Sequence, residues 1–137
     1  MKYALYLTIL LAAAPVAAGG SDFVVIANAS VGDAKISRAE LKQIYLGTKT
    51  SFDGHSVEAV IAQSGTFHER FISACLGKTE TGLRNYFRNL VFSGKGSMPR
   101  SFATSAEVVR YVSKTPGAIG YVDSGADLTG VSTLTLH

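Results

Sequence analysis

The apolar positions divide the chain into short continuous runs and longer helical repeats. Phe23-Val24-Val25-Ile26-Ala27-Asn28 is unbroken and rich in β-branched residues, which predicts a central, parallel strand buried on both faces. Ser37-Arg38-Ala39-Glu40 is a capping box, so a helix is expected from Ser37, with Leu41, Ile44 and Tyr45 on its inner face and Gly47 at its C-terminus. Asp53-Gly54 marks a turn, and Val57 to Ala62 reads as a second buried strand. Ser64-Gly65-Thr66 then leads into a helix with Phe67, Phe71 and Cys75 on one face, opened by a Thr66–Glu69 capping box and ended by Gly77.

A third helix is expected from Thr81, because Leu83, Tyr86, Phe87, Leu90 and Val91 repeat at helical spacing. Ser93 to Ser101 reads as a glycine-rich loop with Lys95 and Arg100. Thr104 and Glu107 cap a fourth helix carrying Val108, Val109 and Val112, which Lys114-Thr115-Pro116-Gly117 stops. Ala118 to Val122 and the group Val131, Leu134 and Leu136 supply the last strands. The order β-α-β-α-α-α-β-β predicts an α/β protein, a three-layer α/β/α sandwich with a mostly parallel sheet.

The first residues change the domain picture. Met1-Lys2 precedes a nearly unbroken apolar run from Tyr3 to Ala14, and Pro15-Val16-Ala17-Ala18 ends it with small residues. This is the pattern of a cleaved secretory signal peptide over residues 1–18, shorter than the ~20 residues a membrane span needs. Residues 19–137 then form a single domain, and the expected location is the periplasm. Of 137 residues in all, a single one, Cys75, is a cysteine, so no internal disulfide is available. Its place on an apolar helix face reads as a small buried hydrophobe. The formal charge of +3 is mild, and no Lys/Arg run resembles a nucleic-acid patch.

Candidate chemistry concentrates at Ser64, Gly65 and Thr66. A strand turning through small residues into a helix aims several amides at one point, and the helix dipole adds partial positive charge there. An oxyanion site follows as one reading, and ordinary helix capping is the other. The same turn lacks the Gly-x-Ser-x-Gly pattern of a hydrolase nucleophile, with Gln63-Ser64-Gly65 in its place. His55, His68, His137 and Cys75 show no metal-ligand spacing. No enzyme activity, metal or cofactor is expected.

Four segments in order carry a family resemblance: Ile36 to Gly47, Phe52-Asp53-Gly54, Ser64-Gly65-Thr66 with Phe71, and Thr115-Pro-Gly-Ala-Ile-Gly-Tyr-Val122. Together they resemble the phosphate-type periplasmic solute-binding proteins of ABC transporters. The resemblance implies one lobe of a type 2 periplasmic-binding fold, in which Ser64, Gly65 and Thr66 contact phosphate or a similar small oxyanion. It also implies an ABC permease or an envelope sensor protein as partner. Two features depart from the family pattern. The other lobe has no counterpart, and Val60, Ile61, Ala62 and Gln63 stand where the family carries an arginine.

Three or four charged hydrogen bonds contribute roughly 5–12 kcal/mol gross, against an association cost on the order of 4–15 kcal/mol. One open lobe is therefore expected to bind weakly unless a homodimer or a partner protein closes it. The alternative reading is an envelope interaction or sensory protein that kept the fold and lost the ligand. Such a protein would dock through Arg84, Arg88 and the Lys95 to Arg100 loop.

Overall fold

The computed structural model describes residues 23–137, so the expected leader over residues 1–18 lies outside the described residues. The strands are β1 (Phe23–Ala27), β2 (Lys35–Ile36), β3 (Ser51–Phe52), β4 (His55–Ser56), β5 (Glu58–Ala59), β6 (Ile61–Ala62), β7 (Ser101–Phe102), β8 (Ala118–Asp123), β9 (Ser132–Thr133) and β10 (Thr135–Leu136). The helices are α1 (Arg38–Tyr45), α2 (Thr66–Phe71), α3 (Glu80–Phe92) and α4 (Ser105–Lys114). A π-helical turn, Ile72–Leu76, extends α2, and Gly77 closes it in the left-handed conformation.

The main sheet has the order β5-β8-β1-β9. β1 runs antiparallel to β8, with Val25 opposite Tyr121, and antiparallel to β9, with Ile26 opposite Thr133. β5 runs parallel to β8. The α/β sandwich stands as expected, whereas the sheet is mixed rather than mostly parallel, and β1 is central but antiparallel to both neighbours. The physical reason lies in what the sequence pattern reports. A continuous apolar run signals burial on two faces, and two-sided burial is compatible with either strand direction.

The pleat shows that two-sided burial directly. Phe23, Val25 and Ala27 of β1, with Ile119 and Tyr121 of β8, face one core cluster, to which α1, α2, the π turn and α3 contribute Leu41, Ile44, Phe71, Leu76, Leu83 and Phe87. Ile26 of β1, with Ala118 and Val122 of β8, faces a second cluster built with Val60 and with Val108 and Val112 of α4. The helices that close these clusters, α1 to α3 on one face and α4 on the other, are the outer layers of the sandwich. The aromatic centre of the larger one is Phe71 stacked on Tyr121, with ring centroids 3.7 Å apart and planes 13° apart.

Several boundaries move. The run Val57 to Ala62 is not one strand but two short ones, because the chain changes partners at Val60. The Val60 N–H donates to Ile119 O at 2.9 Å, and the Ile61 N–H to Arg100 O, also at 2.9 Å. β6 thus pairs with β7, a strand inside the segment expected to be loop. Asp53-Gly54 joins a hairpin, β3–β4, with Phe52 opposite His55. The final apolar group forms β9 and β10, of which β10 pairs with β2 instead of the main sheet. α3 starts at Glu80, one residue before the expected Thr81, because Thr79 is its cap: the Thr79 hydroxyl accepts the Gly82 N–H at 3.1 Å. Ser37 and Thr104 cap α1 and α4 as expected.

Candidate functional site

The loop Ser64-Gly65-Thr66 follows β6 and is held from below by its last strand contact, the Gln63 N–H donating to Phe102 O at 2.9 Å. All three residues are solvent-exposed. Gly65 has φ 116° and ψ 158°, and it is the N-cap of α2. A side chain there would be strained, and its Cβ would lie 2.9 Å from the Phe67 ring. The expected Thr66–Glu69 capping box does not form. The Glu69 N–H reaches the backbone carbonyl of Gly65 at 3.1 Å, which places the helix start one residue earlier and makes Thr66 its first helical residue.

The consequence is an uncapped end. Among the described residues no side chain caps α2, whereas Ser37, Thr79 and Thr104 each cap their own helix. Helical geometry leaves the first amides of α2 without intrahelical acceptors. Thr66, which carries the first of them, is exposed beside Ser64, and the positive end of the helix dipole lies behind it.

Beside this end lies a shallow depression of about 420 Å³ lined by Thr66, Glu69, Arg70, Ser73 and Ala74. Arg70 therefore shares a face with Thr66. The i, i+4 spacing of the two in the sequence is the signal that points to it. His68 turns the other way and is buried. A larger cleft of about 490 Å³, lined in part by Tyr45, Thr50, Glu58, Leu90 and Met98, does not coincide with the loop. Its cations already have partners: Lys49 lies 3.0 Å from Glu40 and Arg100 lies 3.2 Å from Glu58. We place no anion there for that reason.

The buried side of the loop is built around one phenol. Tyr121 of β8 accepts the Ala62 N–H at 3.1 Å and is hydrogen-bonded to His68 Nδ1. His68 Nε2 lies 2.5 Å from the Glu80 carboxylate at the start of α3. The tautomer that satisfies every group has the Tyr121 O–H donating to Nδ1 and the Nε2–H donating to Glu80. This relay ties the end of β6 and the first turn of α2 to β8 and α3. Burial holds the Tyr121 phenol well above its ordinary value of 10.0. His68 is thus bonded to Tyr121 and Glu80, so it is engaged away from Ser64. Sequence reasoning missed this relay, because nothing local links His68 to residues 53 positions away.

Val60, in the stretch where the resembled family carries an arginine, is fully buried in the α4-side cluster. Cys75 is buried as expected, and burial raises its thiol from 9.0 to about 11.

Residues 11–136 match the profile of the PBP superfamily domain. No curated protein matches the sequence. Among solved structures, the chain is similar to an ABC-type phosphate transport receptor from Vibrio cholerae, at 13% identity and a TM-score of 0.62, covering 84% of this chain and 46% of that one. A phosphate ABC transporter substrate-binding protein from Clostridium perfringens, described as putative and solved with bound phosphate, gives 16% identity and a TM-score of 0.62, covering 84% and 44%. PstS from Borrelia burgdorferi gives 16% identity and a TM-score of 0.61, covering 85% and 47%. The chain spans a little under half the length of these structures. At such identities the likeness establishes the fold. The chain belongs to the PBP superfamily domain family.

Proposed function

We propose that this member of the PBP superfamily is a periplasmic binding module, exported by the leader over residues 1–18, that holds phosphate or a similar oxyanion weakly at Ser64, Gly65 and Thr66. The observation that carries the reading is the open N-terminus of α2. Among the described residues, each of the other three α-helices has a hydroxyl cap, and the one that begins at Ser64-Gly65-Thr66 has none. An oxyanion in that position takes the role of the missing cap. It accepts from the first-turn amides and from the two hydroxyls, and it gains from the helix dipole.

Gly65 lets the backbone approach the anion without a Cβ in the way. Arg70 and Glu69 both line the depression on the Thr66 face, so the side chains there add no net charge and the attraction rests on the amides, hydroxyls and dipole. The Tyr121–His68–Glu80 relay fixes the loop from the buried side, which lowers the ordering cost of binding. Phosphate is the favoured oxyanion because structures of the same fold are described as phosphate receptors, one of them with phosphate bound. Service to an ABC permease follows from the same likeness. The role is binding, with no catalysis.

An exposed half-site makes few contacts, so affinity in the millimolar range is expected, in line with the gross estimate of roughly 5–12 kcal/mol against a similar association cost. Calorimetry of the protein with phosphate tests the reading. It predicts a saturable heat that disappears in a Ser64→Ala/Thr66→Ala double variant. Absence of heat at millimolar phosphate, or identical heat in the double variant, overturns it.

A further inference from the structure

Helix α3 carries two stripes. The inner one, with Leu83 and Phe87 buried, packs into the core. The outer one runs through Arg84, Arg88, Val91 and Phe92, at i, i+4, i+7 and i+8, and it faces solvent. Val91, expected from its spacing to turn inward, is 50% exposed. Phe92, the last helical residue, is 83% exposed, and Met98 of the following loop is 53% exposed. These side chains, with Phe87, enclose one depression of about 380 Å³. They are the exposed large hydrophobic residues among the described residues, and they cluster at one place.

The charge beside them is of one sign. Arg84 lies 3.6 Å from Glu80, but the other oxygen of that carboxylate is engaged by His68. Arg88 has no carboxylate partner among the described residues. An apolar patch with two arginines along one edge calls for an apolar surface bearing carboxylates. The N-terminal segment does not supply it, since residues 1–22 hold a single carboxylate side chain, Asp22, directly before β1. A second copy meeting the patch about a two-fold axis would present the same two arginines, and the one carboxylate beside them, Glu80, is already engaged by His68 and Arg84.

We propose that this face of α3 docks an acidic amphipathic helix of another protein. Its apolar side would cover Val91, Phe92 and Met98, and its carboxylates would pair with Arg84 and Arg88. The stripe from Arg84 to Phe92 is ~12 Å long at 1.5 Å per residue, about two turns of a partner helix lying alongside. The contact rests on α3 alone and stands or falls independently of the Ser64–Thr66 loop.

The test uses a dye-labelled synthetic helix of roughly 18 residues, long enough to hold helical structure. It carries Leu at i, i+3, i+4 and i+7 with flanking Glu, and a matched version replaces each Glu with Lys. Fluorescence anisotropy against the full chain is expected to show binding of the Glu helix and at least tenfold weaker binding of the Lys helix. Phe92→Ser should weaken the Glu helix at least tenfold, with thermal unfolding and the response to phosphate unchanged. Arg84→Glu/Arg88→Glu should reverse the preference between the two helices. Equal binding of both helices, or indifference to Phe92→Ser, overturns the proposal. So does Phe92-dependent dimerisation in analytical ultracentrifugation, which gives the face to a second copy. Phe92-dependent binding to phosphatidylglycerol vesicles without binding of the Glu helix also overturns it, assigning the face to a membrane.

Discussion

At Tyr121 the phenol oxygen accepts the Ala62 N–H while its own proton goes to His68, so one hydroxyl serves a strand end and a helix start. Tyr121, Tyr45 and Cys75 all have burial as the first cause of a raised pKa. For an acid raised in the folded state, the unfolded chain loses its proton first as pH rises. Stability from these groups is therefore complete below their ordinary values, 9.0 for the thiol and 10.0 for the phenols, and is lost above them. Urea titrations across pH should show stability insensitive to these groups near neutrality and falling from pH 9 upward. A flat profile through that window contradicts the assignment. Gly117 is the sharpest backbone constraint. Its φ is +78°, and a Cβ there would lie 2.2 Å from the Ser56 carbonyl oxygen. Gly117→Ala should cost about 2–4 kcal/mol, combining left-handed strain with displacement of the end of β4 at Ser56, as read from the urea midpoint.

At the scale of elements, the caps separate structure from binding. Thr79→Ala and Thr104→Ala each remove a hydroxyl that accepts a first-turn amide, and each should cost ~1 kcal/mol of stability in a urea titration. Ser64→Ala/Thr66→Ala removes no cap and should change stability by less than about 0.5 kcal/mol. A double variant as damaging as a cap mutant would mean that these hydroxyls are structural. This contrast also marks what was legible in advance. Ser37 and Thr104 were readable because a capping box is local, and the helical faces were readable because Leu41, Leu83 and Val108 repeat with the helix. The direction of β1 was not, because Phe23 to Ala27 reports burial but not which strand lies alongside. The break at Val60 and the strand at Ser101–Phe102 were hidden because both arise from pairing across some 40 residues. Thr66 misled because a glycine with positive φ took the cap position one residue earlier.

At the scale of the molecule, a mixed sheet with helices on both faces leaves one helix N-terminus among the described residues uncapped beside two hydroxyls, and the chain spans a little under half the length of the solved structures it resembles in fold. The central claim is that phosphate occupies that open end. The most direct measurement is a phosphate titration of the ¹⁵N-labelled protein, followed by amide chemical shifts, with chloride at matched ionic strength as control. The account predicts saturable shifts, with a dissociation constant in the millimolar range, concentrated on the amides of Gly65, Thr66 and Phe67, and little change around Lys49 and Arg100. Shifts that fail to saturate, match those from chloride, or centre on the cleft beside Lys49 and Arg100 contradict it.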